Sequence, residues 1–354
     1  MRHASLPVIA VAALLSLSAT APLHAEIEAG GAVKADTCAD DGKTLGVSRT
    51  IEIDTTGGPA IGGDQKRALQ LLNDGEVVLT FDDGPMKSRT RAILKALADQ
   101  CTKATFFMVG QMALSDPAMV REVAAGGNTI GSHTWSHRNM RFANTKAIDQ
   151  QIESAISMVT KANGAPISPL FRFPYLSSSR QAEAYLRNRN IAAVWVDVDS
   201  KDYLTRNPEV VKNRILAQLA TSKKGIILMH DIHAWTAKML PGLLAALHEK
   251  GFKVVHLVAK APVDTIASYD AAAEKAIASK TAAKAADPTA ERSLVWSMTP
   301  APDAKHKARA VKKVQGKPAI VDGVPATAPS SQGKTRAPAA AKDETPFWQF
   351  NLFN

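Results

Sequence analysis

Residues 76–86, EVVLTFDDGPM, combine a short apolar run with two adjacent carboxylates and a Gly-Pro pair. Their apolar run is too short for a helix and ends at Gly84-Pro85, so it predicts a buried strand. Asp82 and Asp83 then lie at the carboxyl end of this strand, which is where barrels and open α/β sheets place their chemistry. In isolation, the same residues are also typical of an Asx turn with two solvated acids.

Strand-like and helix-like segments alternate about seven times over residues 74–258. We expect strands at 77–81, 104–109, 129–132, 170–173, 192–198, 226–229 and 253–257. We expect helices at 88–99, 117–125, 146–163, 180–189, 208–221 and 238–250. This alternation predicts an α/β domain with a parallel sheet and helices outside it, and closure into a barrel removes the sheet edges.

The first 25 residues differ from the rest of a chain of 354 residues that is 45% hydrophobic and 21% charged. Arg2 and His3 precede an apolar run at 6–17 and then Ala25, a pattern that predicts a secretory signal peptide cut before Glu26. The run is short for a transmembrane helix, and a retained anchor is the alternative. We therefore expect a secreted or periplasmic protein with no stable membrane span after cleavage.

Residues 26–73 are rich in Gly, Asp and Thr and predict an extension packed on the catalytic unit. The alternation at 47–53 suits an edge strand or a hairpin. In an oxidising compartment Cys38 and Cys101 form one disulfide that ties the extension to the domain, or else they are two buried thiols.

Residues 259–354 are dominated by Ala, Lys, Pro, Thr and Ser, a composition that predicts a disordered tail. A short helix at 269–285 and an aromatic cluster at 346–353 are the exceptions. Part of the net charge of +10 lies in this tail. The tail is either a solvated flexible segment or a weak attachment to an anionic envelope polymer. No basic run has the density or the interleaved aromatic residues that nucleic-acid sites show.

A second motif, HTWSH, contains His133 and His137 just after a predicted strand. Histidines at i and i+4 lie on one face of a helical turn, where both can bind one metal ion, although such pairs also arise by chance on surfaces. With a carboxylate from a neighbouring strand end they form a His, His, Asp set that leaves a coordination position open, as catalytic metal sites do.

Three further strand ends carry polar groups. They are FRFPY at 171–175 with Arg172, DVDSKDY at 197–203, and the apolar strand that ends in His230. An arginine among carboxylates serves to fix one of them and keep it ionised, and a surface salt bridge is the alternative. A histidine at the end of a buried strand is often a satisfied core residue. Five polar groups of complementary type at successive strand ends nevertheless indicate a catalytic site.

TFDDGP, HTWSH, RFPY, DSKDY and LMHD resemble the five ordered motifs of the polysaccharide deacetylase family, which is carbohydrate esterase family 4 or the NodB homology domain. The resemblance covers residues 74–258. It implies a distorted (β/α) barrel of seven or eight strands. It also implies a divalent metal, usually Zn²⁺ with Co²⁺ or Ni²⁺ as alternatives, that assists removal of an acetyl group from a sugar.

The resemblance also implies a role for each motif residue. It makes Asp83, His133 and His137 the metal ligands, Asp82 the general base, Arg172 its partner, the Tyr175 backbone N–H an oxyanion donor, His230 the general acid oriented by Asp202, and Leu228, Trp235 and Tyr203 the acetyl and substrate pocket. Tyr203 stands where the family often has Trp, and Arg138 where Pro is common. His233 is an additional candidate for a substrate contact.

The expected reaction is hydrolysis of the acetamide of N-acetylglucosamine units in a chitooligosaccharide, peptidoglycan or poly-N-acetylglucosamine. An amide leaving group needs protonation more than an alkoxide does, and the predicted pair of His230 and Asp202 supplies it. The alternatives are an acetylxylan O-deacetylase, a catalytically silent carbohydrate-binding protein, and a metal-independent hydrolase of small cyclic amides on the same fold.

Overall fold

The strand that begins at Glu76 is buried along its whole length and lies in a parallel sheet. The computed structural model describes residues 43–64 and 68–286, and in that part of the chain the sheet has ten strands. They are β1 (Arg49–Ile53), β2 (Ala60–Ile61), β3 (Glu76–Asp82), β4 (Thr105–Met108), β5 (Thr129–Ser132), β6 (Leu170–Phe171), β7 (Ala192–Val194), β8 (Val198–Asp199), β9 (Gly225–His230) and β10 (Lys253–Ala259).

Helices follow most of the strands, as the predicted alternation requires. They are α1 (Lys87–Asp99), α2 (Gly110–Ser115), α3 (Pro117–Ala125), α4 (Thr145–Asn163), α5 (Arg180–Asn188), α6 (Pro208–Ser222), α7 (Ala234–Glu249) and α8 (Ala267–Ala286). Side chains of Asp116, Asn144, Ser179 and Asn207 accept hydrogen bonds from the first turns of α3, α4, α5 and α6. These caps explain why the predicted starts of those helices lie within one residue of the observed ones.

Successive residues of β3 face opposite sides of the sheet. Val77, Leu79 and Phe81 pack into the cluster that includes the helices, whereas Val78 packs into a second cluster on the other face, inside the barrel. Because side chains alternate along a strand, Thr80 and Asp82 share the inner face with Val78. The same alternation therefore supplies the core at one end of β3 and polar groups at its carboxyl end.

The strand order is β1-β10-β3-β4-β5-β6-β7-β2, with β9 pairing with β3 and β8 pairing with β9. Among the described residues no ladder joins β2 or β7 to β8, so the barrel is not closed by hydrogen bonds. This open seam is the distortion of the (β/α) barrel that the resemblance implies, and the predicted fold class is confirmed.

The N-terminal extension contributes two strands to the sheet. Strand β1 pairs with β10, and Arg49 on β1 binds the Glu76 carboxylate at 2.7 Å. Strand β2 pairs with β7 beside the seam. There, Asp197 accepts hydrogen bonds from the Gly63 N–H at 2.7 Å and the Ile226 N–H at 2.8 Å, so it links the extension to β9.

The predicted strand at 192–198 is wrong in one respect, because it is interrupted between β7 and β8. The N–H of Trp195 donates to Ile61 on β2, whereas the N–H of Asp197 donates to Ile226 on β9. The chain thus changes hydrogen-bonding partner at the seam. Helix α2 was not predicted, and α7 begins four residues before the predicted start at 238.

Helix α8 lies where the sequence indicates a short helix in the tail. Its Ala273 is buried, the Tyr269 hydroxyl donates to Asp149 of α4, and Glu274 pairs with Lys161 at 2.8 Å. The folded part of the chain therefore extends beyond residue 258, where we expected the disordered tail to begin.

Several predictions fall outside the described residues. They concern the signal peptide at 1–25, the aromatic cluster at 346–353, and Cys38, so the disulfide with Cys101 stays a prediction. No helix among residues 43–64 and 68–286 is long and apolar enough to cross a membrane.

Candidate active site

The predicted site residues converge at the carboxyl end of the barrel strands. Asp82 is the last residue of β3, and it lies beside His230, the last residue of β9, in the strand register. Strand β5 ends at Ser132, directly before His133, and Ser132 pairs with Phe171 next to Arg172. Parallel pairing thus brings motifs that are far apart in sequence to one edge of the sheet.

Asp83, His133 and His137 form a group whose ligand atoms lie within 4.8 Å of one another. Asp83 Oδ1 is 3.4 Å from His133 Nε2 and 3.2 Å from His137 Nε2. All three residues are buried. One carboxylate and two imidazoles that converge on one point match the ligand types and the open coordination of a catalytic zinc site.

The backbone and the surroundings orient these ligands. Asp83 and His137 have positive φ angles of 76° and 55°, so both side chains leave tight turns rather than regular elements. His133 Nδ1 lies 2.8 Å from the backbone carbonyl oxygen of Arg172. A carbonyl accepts only from a protonated Nδ1, which leaves His133 Nε2 free to bind a metal.

Burial also selects the protonation states that a metal requires. It lowers the pKa of His137 to about 4 against the opposing effect of Asp83, so this imidazole is neutral at pH 7. Burial acts to raise the pKa of Asp83, but His137 and His133 outweigh it and hold this pKa well below its usual range. A neutral imidazole and an ionised carboxylate are the forms that bind a cation.

Asp82 lies next to this group but is held by a different partner. Arg172 is completely buried, and its Nη1 donates to Asp82 Oδ1 at 2.8 Å and to Thr80 Oγ1 at 2.7 Å. The guanidinium also lies over the ring of Phe107, 4.3 Å from its centroid. Asp82 Oδ2 is 3.9 Å from His133 Nε2, so the second carboxylate oxygen faces the candidate metal site.

On the other side of the site, His230 and Asp202 form a hydrogen-bonded pair. His230 Nδ1 is 2.6 Å from Asp202 Oδ1. The backbone N–H of His230 and the Thr236 hydroxyl donate to Asp202 Oδ2 at 2.9 and 2.6 Å. Burial acts to lower the pKa of His230, but Asp202 outweighs it and the pKa rises to about 10. The imidazole is therefore protonated at neutral pH in this environment.

The predicted pocket residues surround this pair. Leu228 is buried on β9, and Trp235 donates from Nε1 to the backbone oxygen of Asp202 at 2.6 Å. Tyr203 is half exposed, its hydroxyl lies 3.1 Å from Asp199, and its ring meets His230 edge-on at 5.8 Å. Tyr175 has a φ of 59°, and its ring contacts His137 with 4.6 Å between centroids.

His233 stacks on Trp235 with 4.5 Å between ring centroids, and it joins Asp202 and His230 in a second group of ligand atoms within 4.8 Å of one another. Both carboxylate oxygens of Asp202 are already occupied by hydrogen bonds from His230 and Thr236. This second group is therefore a hydrogen-bonded pair beside a stacked imidazole rather than a second metal centre. His233 stays a candidate for a substrate contact.

Sequence reasoning missed three buried residues that support the site: Thr80, Thr236 and Asp231. Thr80 could have been found, since it precedes Asp82 by two residues and must share its face of β3. Thr236 binds Asp202 across 34 positions, and no local pattern marks that contact. Burial raises the pKa of Asp231 to about 7, an unusual value for a carboxyl group that directly follows the predicted acid.

The comparisons with known proteins agree with this arrangement. The family model described as polysaccharide deacetylase matches residues 71–194, which contain Asp82, Asp83, His133, His137 and Arg172. A chitooligosaccharide deacetylase of Azorhizobium caulinodans is 31% identical over 159 residues, which are 45% of this chain and 75% of that protein.

A peptidoglycan-N-acetylglucosamine deacetylase of Listeria monocytogenes is 31% identical over 179 residues, which are 51% of this chain but only 37% of that protein. The solved structure of a Bdellovibrio bacteriovorus peptidoglycan deacetylase superposes with a TM-score of 0.55 at 31% identity, over 62% of each chain. The family match, these relatives and the arrangement of the five motifs lead to one conclusion: the chain belongs to the polysaccharide deacetylase family.

Proposed function

We propose that this protein is an exported, metal-dependent N-deacetylase that hydrolyses the acetamide of N-acetylglucosamine units in an envelope polysaccharide or oligosaccharide. The products are a free amine on the sugar and acetate. The observation that carries the proposal is the pairing of Asp82 with His230 in the strand register, next to the group of Asp83, His133 and His137. A base and an acid thus flank one candidate metal site.

The ligand set supports zinc, with cobalt and nickel as alternatives. Two borderline imidazole nitrogens with one carboxylate oxygen form a ligand set that these ions accept, and the three ligand atoms already lie buried within 4.8 Å of one another. When bound, a divalent ion polarises the acetamide carbonyl and acidifies the attacking water. Asp83 is assigned to metal binding, because its Oδ1 lies 3.4 Å from His133 Nε2 and 3.2 Å from His137 Nε2.

Asp82 is suited to accept the proton of the attacking water. One of its oxygens is bound by Arg172, and the other faces the ligand group. The guanidinium stabilises the negative charge of the carboxylate and fixes its direction, since the arginine is itself held by Thr80 and the Val194 carbonyl. A base that is held in position in this way contributes roughly 10²- to 10⁴-fold to turnover.

His230 is suited to donate a proton to the leaving amine. Its Nδ1 is committed to Asp202, which leaves Nε2 for the substrate, and the raised pKa keeps the ring charged at neutral pH. Protonation matters for an amide because an amine anion does not leave unaided. The backbone N–H of Tyr175 is the proposed oxyanion donor, and Leu228, Trp235 and Tyr203 are proposed to contact the acetyl group and the sugar.

The activities of the relatives favour the amide over the ester. One acts on peptidoglycan N-acetylglucosamine and another on chitooligosaccharides, and both groups carry an acetamide. The chain spans only 37% of the Listeria protein, so the polymer and the location are proposed here rather than carried over. The predicted signal peptide supports export to the periplasm or the exterior.

A comparison of two substrates tests the reaction type. Acetate release from chitopentaose and from acetylxylan is measured at equal zinc loading, for the wild-type protein and for His230→Ala. We expect the amide to be cleaved faster and the variant to lose most of that activity. Faster ester cleavage with little dependence on His230 would support the O-deacetylase alternative. Binding of either substrate without any acetate release would support a silent carbohydrate-binding protein.

A further inference from the structure

The residue after the proposed acid, Asp231, has no part in the chemistry described above, yet it is almost completely buried. Its Oδ2 accepts a hydrogen bond of 2.6 Å from the hydroxyl of Thr90, a buried residue of α1. The Thr90 hydroxyl in turn accepts a hydrogen bond of 2.7 Å from the Met86 N–H. Because a hydroxyl has a single hydrogen, donation to Asp231 directs its lone pairs toward Met86.

Asp231 also packs directly against Gly84. A Cβ atom placed on Gly84 would lie 2.1 Å from Asp231 Oδ1 and 2.4 Å from its Cγ, closer than any real contact. Only glycine therefore fits this position while the carboxyl group occupies its place. The Asp231 side chain contacts the loop directly at Gly84 and, through the Thr90 hydroxyl, at Met86. It therefore holds both ends of the turn that follows Asp83.

This turn determines where the Asp83 carboxylate points. Asp83 has a φ of 76°, a left-handed conformation that is unfavourable for a non-glycine residue unless its surroundings hold it. The residues on either side of it are restrained: Asp82 by Arg172, and Gly84 to Met86 by Asp231 and Thr90. The Gly84 carbonyl also accepts from the Val109 N–H at 3.2 Å, and the Met86 carbonyl accepts from the Arg89 N–H at 2.9 Å. Loss of the second restraint therefore loosens the turn without unfolding it, and it lets Asp83 move away from the two histidines.

We infer that Asp231 is a positioning residue of the metal site, which acts through Thr90 and Gly84 to hold the turn that presents Asp83. This inference rests on the proposed metal site. Asp231 does not touch the reacting atoms, so its removal acts first on metal affinity and on the order of the turn.

The test compares zinc affinity, measured by competition with a chromophoric chelator, among Asp231→Ala, Thr90→Val and two conservative variants, Asp231→Asn and Thr90→Ser. We expect roughly 10- to 100-fold weaker binding in the first two, as for other groups that orient a ligand. Asn and Ser retain the acceptor and the hydroxyl, so we expect affinities within about threefold of wild type. If Asp231→Ala does not fold, Thr90→Val decides the question.

A matched control separates positioning from general stability. Thr129→Val also removes a buried hydroxyl, one that donates to the Leu257 carbonyl, but it lies at the start of β5 and away from the site. It should lower the melting temperature and leave zinc affinity unchanged. If Thr90→Val and Asp231→Ala lower the melting temperature in the same way and keep wild-type affinity, both residues are merely structural and the inference is wrong.

Amide hydrogen exchange of Met86 in metal-free protein gives a second readout. Loss of its hydrogen bond in Thr90→Val should accelerate exchange roughly five- to tenfold, the equivalent of one such bond. An unchanged Met86 exchange rate in both Thr90→Val and Asp231→Ala would show that Asp231 and Thr90 do not hold the turn. If the wild-type protein binds no zinc, the proposed function fails, while the exchange measurement still decides whether these residues hold the turn.

Discussion

Asp202→Asn is the substitution that most directly tests the proposal that Asp202 keeps His230 protonated as the general acid. Asp202 Oδ2 accepts hydrogen bonds from the backbone N–H of His230 and from the Thr236 hydroxyl. In the variant, the asparagine side-chain oxygen therefore occupies the Oδ2 position. Its NH₂ group then faces His230 Nδ1, which must accept rather than donate. The variant removes the negative charge and also favours the tautomer that keeps the ring neutral.

The size of the effect follows from the pKa of His230. Asp202 is the main group that raises it, from 6.5 to about 10. At pH 8 a group with a pKa of about 10 is about 99% protonated, whereas an imidazole at the ordinary value of 6.5 is about 3% protonated. We therefore expect a loss of roughly 30- to 100-fold in kcat at pH 8, near the lower end of what a positioned acid contributes.

The assay is kcat against pH for acetate release from chitopentaose at saturating zinc. A bound cation lowers the pKa of His230 in both proteins, so the difference between the two alkaline limbs is the quantity that tests the reasoning. We expect the limb of Asp202→Asn to lie at least two pH units lower. Asp199→Asn is the control, since it removes a nearby charge that does not touch His230. An unshifted limb in Asp202→Asn would refute the assignment of His230 as the acid.

Three further outcomes follow from the same contacts. His133→Ala should abolish zinc retention, measured by elemental analysis, because two remaining ligands do not hold the ion against water; full occupancy would contradict the ligand assignment. Asp82→Asn should keep zinc and lose roughly 10²- to 10⁴-fold in turnover, whereas Asp83→Asn should lose zinc; the reverse pattern would exchange their roles. Arg49→Met should lower the free energy of unfolding by about 0.5–1.5 kcal/mol at pH 7, because the hydrogen bond from Arg49 lowers the pKa of Glu76 from 4.5 to about 2, while solvent screens part of this effect at the 39% exposed Arg49 side chain. A lowered carboxyl pKa stabilises the fold above pH 4.5, and this contribution is lost as pH falls toward 2. If Arg49→Met lowers the melting temperature equally at pH 2 and above pH 4.5, the ion pair with Glu76 is not the cause.

The barrel and its motifs were predictable because each depends on a local pattern. A short apolar run followed by Asp82, Asp83 and Gly84-Pro85 specifies a strand and its end, and parallel strands place their ends together. The i, i+4 spacing of His133 and His137 correctly predicted that the two imidazoles meet, but the expected helical turn is wrong: residues 133–137 form a loop with positive φ at Thr134 and His137. The strand and its end depend on a short segment of the chain, and the folded structure retains them.

Other features depend on contacts between distant segments and were not predictable. Strand β2 has two residues, too few for any periodicity, and exists because the seam beside β7 leaves unpaired backbone groups. Helix α8 has the composition of a disordered tail, but Tyr269, Ala273 and Ile277 repeat every four residues and face the domain. That stripe is a signal that composition alone obscures.

The proposed function requires one divalent ion at Asp83, His133 and His137 for removal of an N-acetyl group. The most direct test is a titration of metal-stripped protein with zinc, with acetate and free amine from chitopentaose measured at each step. We predict that activity is absent without metal, rises to a plateau at one equivalent per chain, and is not restored in His137→Ala. Full activity in the stripped protein, or no activity at one bound equivalent, would show that a metal ion at these three residues does not carry the reaction.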